Sequence, residues 1–547
     1  MRPSRTQGMW RSGGALVGLV ALAAVVRATT IRAWLMGDDI ESIAGSIRLA
    51  AARGWFGGAG PGGHVRPLTW WSFAVNQRLG GLDGWGYHLV AVLLHGVVAW
   101  LVLGLVRDVL GAAGEPEDRG WRLGVAAGVA FALAPNHAEA VGWVAARADL
   151  LLAATTLAAV RLWARSGPAL LDRWRLASVG AFCLALASKE TAIVVPALLV
   201  AWDMLLGARP DGEAGEGLGV RARRAVGRVA LHLVALGGYL ALYAVVNRSL
   251  FSDARDEASA GGALGSVRRT AAILVRSVLP GVDARTWAVG ALVGLAVVVV
   301  ALLLGWRPAR EHLATVRRPL AFLLVATVLC AAPLARFGVS LTSAAGERMA
   351  YLPSCFAIPA VVMVTWALLA PLPRPARRAI AVAVLLLLVG ATLVADGTYV
   401  RGGRTSRRLV ASTARFDPER GAVVLVAPDT VGGAWVQRNG MGPALELVHG
   451  WGSDVRYAEV VPVHLRRGDE HVRRIAGPCR GCTTFVLPPG SRAMPVGSVP
   501  GEAGAIPGLD VVVRSGRRIT IRVGPGVDRS TLWYVDRGRL VRAFPDR

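Results

Sequence analysis

Long apolar runs, separated by short polar segments, recur along the first three quarters of this chain. The first run covers about 13–36 and the last about 378–396. Nine more lie between them, at about 87–106, 121–135, 148–164, 174–188, 190–207, 226–247, 286–305, 318–336 and 349–371. Because a helix needs about 20 apolar residues to cross a bilayer, the pattern predicts a polytopic α-helical membrane protein with about 11 transmembrane helices. We place this transmembrane domain at 1–397.

The loops between these runs alternate in charge. Arginine-rich segments such as RDVLGAAGEPEDRGWR, RLWARSGPALLDRWR and RPAREHLATVRR occur after every second run. Since Lys and Arg collect in cytoplasmic loops, this alternation predicts a cytoplasmic N-terminus and a C-terminal part on the outer side. A long exterior loop, 37–87, then follows the first run.

Composition supports a membrane protein and removes one alternative. Of the 547 residues 54% are hydrophobic and 18% charged. The net charge of +25 would by itself suggest a nucleic-acid partner. However, the basic residues are nearly all arginine and lie in the short loops, where membrane topology accounts for them. We therefore predict contact with the bilayer and no nucleic-acid binding. The arginine-heavy composition favours a bacterial source and hence the inner membrane.

The segment 398–547 has a different pattern. Short runs such as GAVVLVAP, RRITIRVGP and STLWYVD are typical of β-strands, so we predict a small β-rich exterior (periplasmic) domain. Cys479 and Cys482 form a CRGC motif within it. A zinc site would need a second cysteine pair, and a redox site a helix after a strand. The motif therefore predicts a local disulfide in an oxidising compartment.

Charged residues gather at the predicted exterior ends of the apolar runs. They include carboxylates, which accept protons, and cations, which hold phosphates. Single charges at span ends commonly anchor topology, but a set on one side favours a shared site facing a cavity. The set comprises Asp38, Asp39, His137, Glu139, Arg147, Asp149, Lys189, Glu190, Glu347 and Arg348.

The order of the motifs around these residues resembles a known family. The motifs are GDDIESI, HVRPLTWWSFAVNQRLGGLDGWGYHLVAVLLH, FALAPNHAEAVGWVAARADLL, LALASKETAIVVPALLVAWD and GERMAYLPS. They are similar to those of the GT-C superfamily of membrane glycosyltransferases, and most of all to the transmembrane O-mannosyltransferases whose animal members carry tetratricopeptide repeats. The resemblance covers roughly 13–370, and this chain has the β-rich segment in place of the repeats.

The resemblance implies transfer of a sugar, mannose or another hexose, from a polyprenyl-phosphate carrier to an acceptor hydroxyl on the outer face. The acceptor is a protein or a glycan. An aspartate of the first exterior loop, Asp38 or Asp39, would act as general base on that hydroxyl. The candidates for binding the donor phosphate are Arg66, Arg147, Lys189 and Arg348, with Glu190 and Glu347 in supporting positions.

His137 and Glu139 are candidates for positioning the acceptor or orienting the base. Together with Asp38 and Asp39 they are also candidate ligands for a divalent cation, for which oxygen ligands favour Mg²⁺ or Mn²⁺. Some enzymes of the family that this chain resembles use a metal and others do not.

Two other classes of function remain open. A transporter or glycolipid flippase would also place charges in a membrane domain, although inverted repeats and charges in mid-span are typical of such proteins. A non-catalytic assembly partner with the same fold is the other possibility, and the retained aspartate pair argues against it. The sequence does not separate a protein acceptor from a lipid or glycan acceptor.

Overall fold

The structure is a computed structural model of the chain. It describes residues 5–51, 64–207, 217–247, 262–281, 310–335, 339–341, 343, 345–436, 441–451, 457–466, 470–479, 481–493, 508–514 and 516–544. Most of the described residues before 413 are helical, and all described strands follow that point. A mostly helical chain with a β-rich C-terminal region is therefore confirmed. The division into domains at 397 stays a prediction.

Seventeen helices carry labels here. They are α1 Arg5–Val26, α2 Ala28–Ile31, α3 Asp39–Ala51, α4 Pro67–Gly80, α5 Gly84–Ala112, α6 Glu117–Ala132, α7 Ala138–Gly142, α8 Arg147–Trp163, α9 Arg173–Leu186, α10 Val195–Leu205, α11 Leu218–Arg228, α12 Ala230–Asn247, α13 Gly262–Arg276, α14 Arg317–Ala331, α15 Tyr351–Leu369, α16 Arg374–Ser412 and α17 Met441–His449. Short 3₁₀ turns at Pro135–His137, Val144–Ala146, Glu190–Val194 and Glu347–Ala350 lie next to several of them.

Four described helical segments are long and apolar enough to cross a membrane, and six if two bent pairs each form one span. The four are Gly84–Ala112, Arg317–Leu334, Glu347–Leu369 and Arg374–Arg415. These segments coincide with predicted runs and support a multi-pass membrane protein. Several other predicted runs coincide with shorter helices, such as α6 and α9, and the run at 286–305 lies outside the described residues. The count of about 11 spans is not confirmed.

A large apolar cluster fills the centre of the helical part. It joins side chains of α1, α5, α6, α8, α10, α14 and α15. One charge at the end of the first run lies inside the protein. Arg27 is fully buried, donating to the Asp396 carboxylate of α16 at 2.6 Å and to the Ala134 carbonyl at 2.9 Å. Each charge depends on the other, because removal of one partner would leave an uncompensated buried charge.

The segment 37–87, which the sequence predicts as an exterior loop, contributes two helices, α3 and α4, that pack against the C-terminal region. The sequence allowed α4 to lie on the bilayer or to pack on the bundle. Trp70 and Phe73 are 4% and 0% exposed, whereas Trp71 is 56% exposed. Two of the three aromatic side chains therefore pack inside the protein. They belong to a single apolar cluster that also contains Leu425 and Val461 of the C-terminal strands.

The C-terminal strands form two sheets. The strands are β1 Ala422–Val431, β2 Ala434–Trp435, β3 Tyr457–Leu465, β4 Arg473–Ala476, β5 Cys482–Val486, β6 Arg492–Ala493, β7 Leu509–Arg514, β8 Arg518–Val523, β9 Leu532–Asp536 and β10 Arg539–Arg542. The first sheet has the order β10-β9-β1-β3-β6 with β2 paired to β1, and the second β4-β5-β8-β7. In the first sheet β1 runs parallel to β3 and β9, and α17 lies between β1 and β3 in the chain. Parallel pairs need such crossovers.

Candidate active site

The two adjacent aspartates lie in the turn that leads into α3. Gly37 precedes them with φ +53°, a left-handed conformation that glycine adopts without strain. Asp39 is fully buried, and its carboxylate accepts the backbone N–H of Met36 at 2.9 Å and of Ala145 at 2.6 Å. Asp38 is half-buried. Asp39 therefore fixes the turn against the segment before α8, and Asp38 carries the more accessible carboxylate.

The protonation of Asp39 also separates it from its neighbour. Burial raises the pKa of Asp39 to about 8, because loss of hydration of the anion outweighs the backbone N–H bonds that it accepts. The nearby Asp38 charge acts in the same direction. A buried carboxyl group that holds its proton near neutral pH is poorly suited to take another from a substrate.

The side chain of Trp143 contacts both this turn and the guanidinium of Arg348. The indole N–H of Trp143 donates to the carbonyl of Met36 at 3.2 Å. The guanidinium carbon of Arg348 lies 4.2 Å from the centre of the Trp143 ring. Arg348 is half-buried, and within the described part of the chain no carboxylate is at ion-pair distance from its guanidinium. The guanidinium of Arg348 therefore lies against this ring and also within electrostatic range of the Glu139 carboxylate.

Two other predicted cations are already paired with carboxylates. Lys189 donates to Asp149 at 2.6 Å, with both side chains less than a tenth exposed. Arg66 forms a bidentate ion pair with Glu190, with Nε 2.9 Å from Oε2 and Nη2 2.7 Å from Oε1. The Lys189 ammonium also lies within electrostatic range of Arg66, Glu190 and Arg348. The structure therefore brings three of the four predicted phosphate-binding cations together.

The fourth cation, Arg147, is fully buried and makes contacts of another kind. Its guanidinium donates to the Asn76 side-chain oxygen at 2.6 Å and to the carbonyls of Ser72 at 3.2 Å and Tyr87 at 3.0 Å. It also lies over the Phe73 ring at 4.7 Å. These neutral acceptors hold α4 and α5 against α8. Arg147 is placed as a structural anchor of the exterior loop.

Glu139 is buried at the meeting point of the helical part and the C-terminal region. Its Oε2 accepts the backbone N–H of Arg348 at 2.8 Å. Its Oε1 accepts the indole N–H of Trp435 at 3.2 Å. Both oxygens are therefore engaged by the protein, one from each region. Trp435 comes from the segment that has no counterpart in the motif resemblance, which is why sequence reasoning missed it.

His137 and Glu347 lie away from the aspartate turn. The His137 ring is fully buried, with Nδ1 at 3.1 Å from the Phe131 carbonyl and Nε2 at 2.8 Å from the Ser354 hydroxyl. Glu347 forms a buried ion pair with Arg276. The structure does not place either side chain in contact with the two aspartates.

Comparison with known proteins matches about a third of the chain to one group. It is 35% identical over 206 residues to Protein O-mannosyl-transferase Tmtc1 of Drosophila melanogaster, covering 35% of this chain and 23% of that protein. It is 33% identical over 211 residues to Tmtc2 of the same organism, covering 34% and 21%. The resemblance to O-mannosyltransferases is confirmed. The chain spans less than a quarter of the length of these relatives, and no family model matches it.

Solved structures of another membrane protein overlap most of the chain at low identity. ArnT from Cupriavidus metallidurans in the apo state is 15% identical, with a TM-score of 0.45 over 93% of this chain and 98% of that chain. The same protein bound to undecaprenyl phosphate gives 14% and 0.41 over the same shares. TM-scores below 0.5 do not establish a shared fold.

The divalent-cation site proposed at Asp38, Asp39, His137 and Glu139 stays a prediction. Within the described part of the chain no group of three His, Cys, Asp or Glu side chains is placed to hold a metal ion. Both oxygens of Asp39 and of Glu139 accept hydrogen bonds from donors of the protein, and both His137 nitrogens lie at hydrogen-bond distance from protein oxygens. These side chains therefore already serve as hydrogen-bond partners within the protein. No reaction step is assigned to a metal.

The CRGC motif lies far along the chain from these residues. Cys479 and Cys482 are joined by a disulfide at the turn between β4 and β5. The remaining cysteines, Cys183, Cys330 and Cys355, are free and lie on α9, α14 and α15. The disulfide closes a hairpin of the second sheet and touches none of the candidate site residues.

Proposed function

We propose that this chain is a GT-C-type glycosyltransferase. It would move mannose or another hexose from a polyprenyl-phosphate carrier to an acceptor hydroxyl on the outer face of a bacterial inner membrane. One observation carries the proposal: the Asp39 and Trp143 contacts bring the half-buried carboxylate of Asp38 and the guanidinium of Arg348 to the same end of the helical part. The relatives named O-mannosyl-transferases support the same class of reaction.

The transfer reaction needs different protein groups on the acceptor side and on the phosphate side of the sugar. The acceptor hydroxyl must lose a proton as it attacks the anomeric carbon, so a base is needed on its side. We assign that base to Asp38, because Asp39 is buried and engaged by two backbone donors. Asp39 then positions the turn that carries the base.

On the opposite side the bond from the sugar to the phosphate breaks, and negative charge grows on the leaving polyprenyl phosphate. Fixed cations directed at that charge stabilise the transition state more than the ground state. Arg348 is our first candidate, with Lys189 and Arg66 near it. The carboxylates of Asp149 and Glu190 neutralise the latter two, so their net contribution to phosphate binding is smaller.

The test is sugar transfer in membranes that contain the wild type or Asp38→Asn, with a radiolabelled polyprenyl-phosphate hexose as donor. We expect the wild type to transfer label and Asp38→Asn to lose about 100- to 10,000-fold in rate, the range for a general base. Asp417→Asn, an exposed aspartate of the C-terminal region, is the matched control and should transfer normally.

Two results would contradict the proposal. If Asp38→Asn transfers sugar as fast as the control, Asp38 is not the base. If the folded wild type moves the labelled lipid across the bilayer without transferring the hexose, the protein is a flippase of the kind that the sequence left open.

A further inference from the structure

A tight hairpin of the C-terminal region reaches the candidate site. Strands β1 and β2 pair at Thr430 with Trp435 and at Val431 with Ala434. The two residues between them, Gly432 and Gly433, have φ of +61° and +92°. Two-residue hairpin turns of this hand need positive φ at both positions, which two glycines supply at little cost. The turn therefore fixes the direction in which Trp435 leaves the sheet.

The hairpin meets the helical part in close backbone contact. The N–H of Gly37, next to Asp38, donates to the carbonyl of Val436 at 2.9 Å. A Cβ on Gly37 would lie 3.0 Å from the Trp435 Cβ, and a Cβ on Gly402 of α16 would lie 3.0 Å from the Ala434 Cβ. At both glycines the hairpin packs directly against the helical part, so that a larger side chain at either position would be too close to it.

Trp435 contacts both the turn that carries the proposed base and the residues that position Arg348. Its N–H donates to Glu139, whose other oxygen accepts the main-chain N–H of Arg348. Its ring centre lies 6.1 Å from that of Trp143, the ring that carries the Arg348 guanidinium. One side chain of the C-terminal region therefore contacts the turn of the base and the residues that place the cation.

We propose that Trp435 is a positioning residue of the transfer reaction, so that the C-terminal region completes the active site. The inference rests on the proposed function. It assigns a task to a segment that otherwise reads as a separate exterior domain for recruiting acceptors. Trp435 acts through Glu139: without its N–H, one oxygen of a buried carboxylate loses a donor, and the Arg348 backbone that the other oxygen holds is less well fixed.

The experiment measures kcat per folded molecule for the purified full chain in detergent, with a polyprenyl-phosphate hexose as donor. Trp435→Phe keeps an aromatic ring, smaller than the indole, but removes the N–H, and we expect kcat to fall about tenfold. Trp451→Phe, a tryptophan of the same region that packs on Phe416, is the control and should keep the wild-type rate. The melting temperature of both variants should stay within a few degrees, about 2–5 °C, of that of the wild type.

A double-mutant cycle separates positioning from a general loss of structure. If Trp435 acts through Glu139, the Trp435→Phe substitution should change kcat by less than about twofold in a Glu139→Gln background. A full tenfold loss in both backgrounds would overturn the proposed route. Equal rates for Trp435→Phe and the wild type would overturn the positioning role while leaving the proposed function intact.

Docking of the hairpin is checked without activity. The double variant Gly402→Cys/Ala434→Cys brings two Cβ atoms close to the separation of a disulfide, so mild oxidation should cross-link α16 to the hairpin. Absence of the cross-link in folded protein would overturn the inference. A wild type that transfers no hexose would overturn the proposed function, and the inference with it.

Discussion

Two corners of the site hold their cations in different ways. In one, Lys189 and Arg66 each face a carboxylate, at 2.6 Å and 2.7 Å. In the other, Arg348 lies 4.2 Å from the centre of the Trp143 ring. A phosphate that approaches the first corner meets two carboxylates as well as two cations. At 4 Å, two unit charges interact by about 4 kcal/mol at an effective dielectric constant of about 20. The partner of a cation, more than its place at a span end, therefore decides what it can bind.

The largest effect should come from the corner of Arg348, whose guanidinium forms no direct ion pair with a described carboxylate. Arg348→Gln removes the cation, and we expect kcat with a polyprenyl-phosphate donor to fall about 100- to 1,000-fold, as for loss of a group that stabilises transition-state charge. Arg348→Lys retains the charge and should recover part of the rate. The measurement is steady-state transfer at saturating donor. Wild-type turnover in Arg348→Gln would reverse the assignment of the two corners.

At the corner of Lys189 and Arg66, substitutions should first of all change the free energy of unfolding. Lys189→Met leaves the buried carboxylate of Asp149 without its cation, which we expect to cost about 3 kcal/mol of unfolding free energy. The double variant Lys189→Met/Asp149→Asn removes both charges and should regain most of that loss. Thermal unfolding in detergent compares them. If the single and double variants unfold alike, the pair does not stabilise the fold as described.

A smaller effect is expected at Arg147, whose acceptors are neutral. Arg147→Lys loses the planar donor set that reaches Asn76 and the Tyr87 carbonyl together, at a cost of about 1–2 kcal/mol in unfolding free energy. Arg165→Lys, at a side chain 41% exposed, is the control and should change stability by less than about 0.5 kcal/mol. An unchanged unfolding midpoint in Arg147→Lys would argue against its anchoring role.

The smallest effect concerns pH. Folded Asp39 keeps its proton up to about pH 8, whereas an unfolded chain releases it near pH 4. The folded state thus binds more protons between these values, so this group lowers stability as the pH rises from 4 to 8. We expect the melting temperature of the wild type to fall by a few degrees, about 2–5 °C, between pH 6 and 8. A variant with Asp39→Asn should show a weaker slope, and an equal slope would contradict the assignment.

The sequence predicted the elements of this molecule better than their contacts. Apolar runs at 87–106, 318–336 and 349–371 correspond to α5, α14 and α15, because length and hydropathy are local properties of the chain. Alternating runs likewise predicted β1 and β8. The motif order also predicted the similarity to O-mannosyltransferases, since short polar motifs between spans are readable residue by residue.

Contacts between residues far apart in the chain could not be predicted from the sequence. Nothing local to Lys189 or Arg66 shows that each has an acid at ion-pair distance. Asp38 and Asp39 are adjacent residues of the same type, yet Asp39 accepts the backbone N–H of Ala145, and this contact distinguishes their roles. The link from Trp435 to Glu139 joins residues 296 positions apart. Such pairings depend on how helices and sheets pack, which hydrophobic periodicity does not encode.

The buried pair of Arg27 and Asp396 has a consequence for how the protein is made. The two residues are 369 positions apart in the chain. At translation rates of about 5–20 residues per second, the ribosome reaches Asp396 roughly 20–70 s after Arg27. During that time the arginine must remain hydrated, contact lipid phosphates or find a temporary partner. Insertion of α16 is then the step that locks the first helices in place, so ribosome stalling before that helix should leave the nascent chain open to proteases.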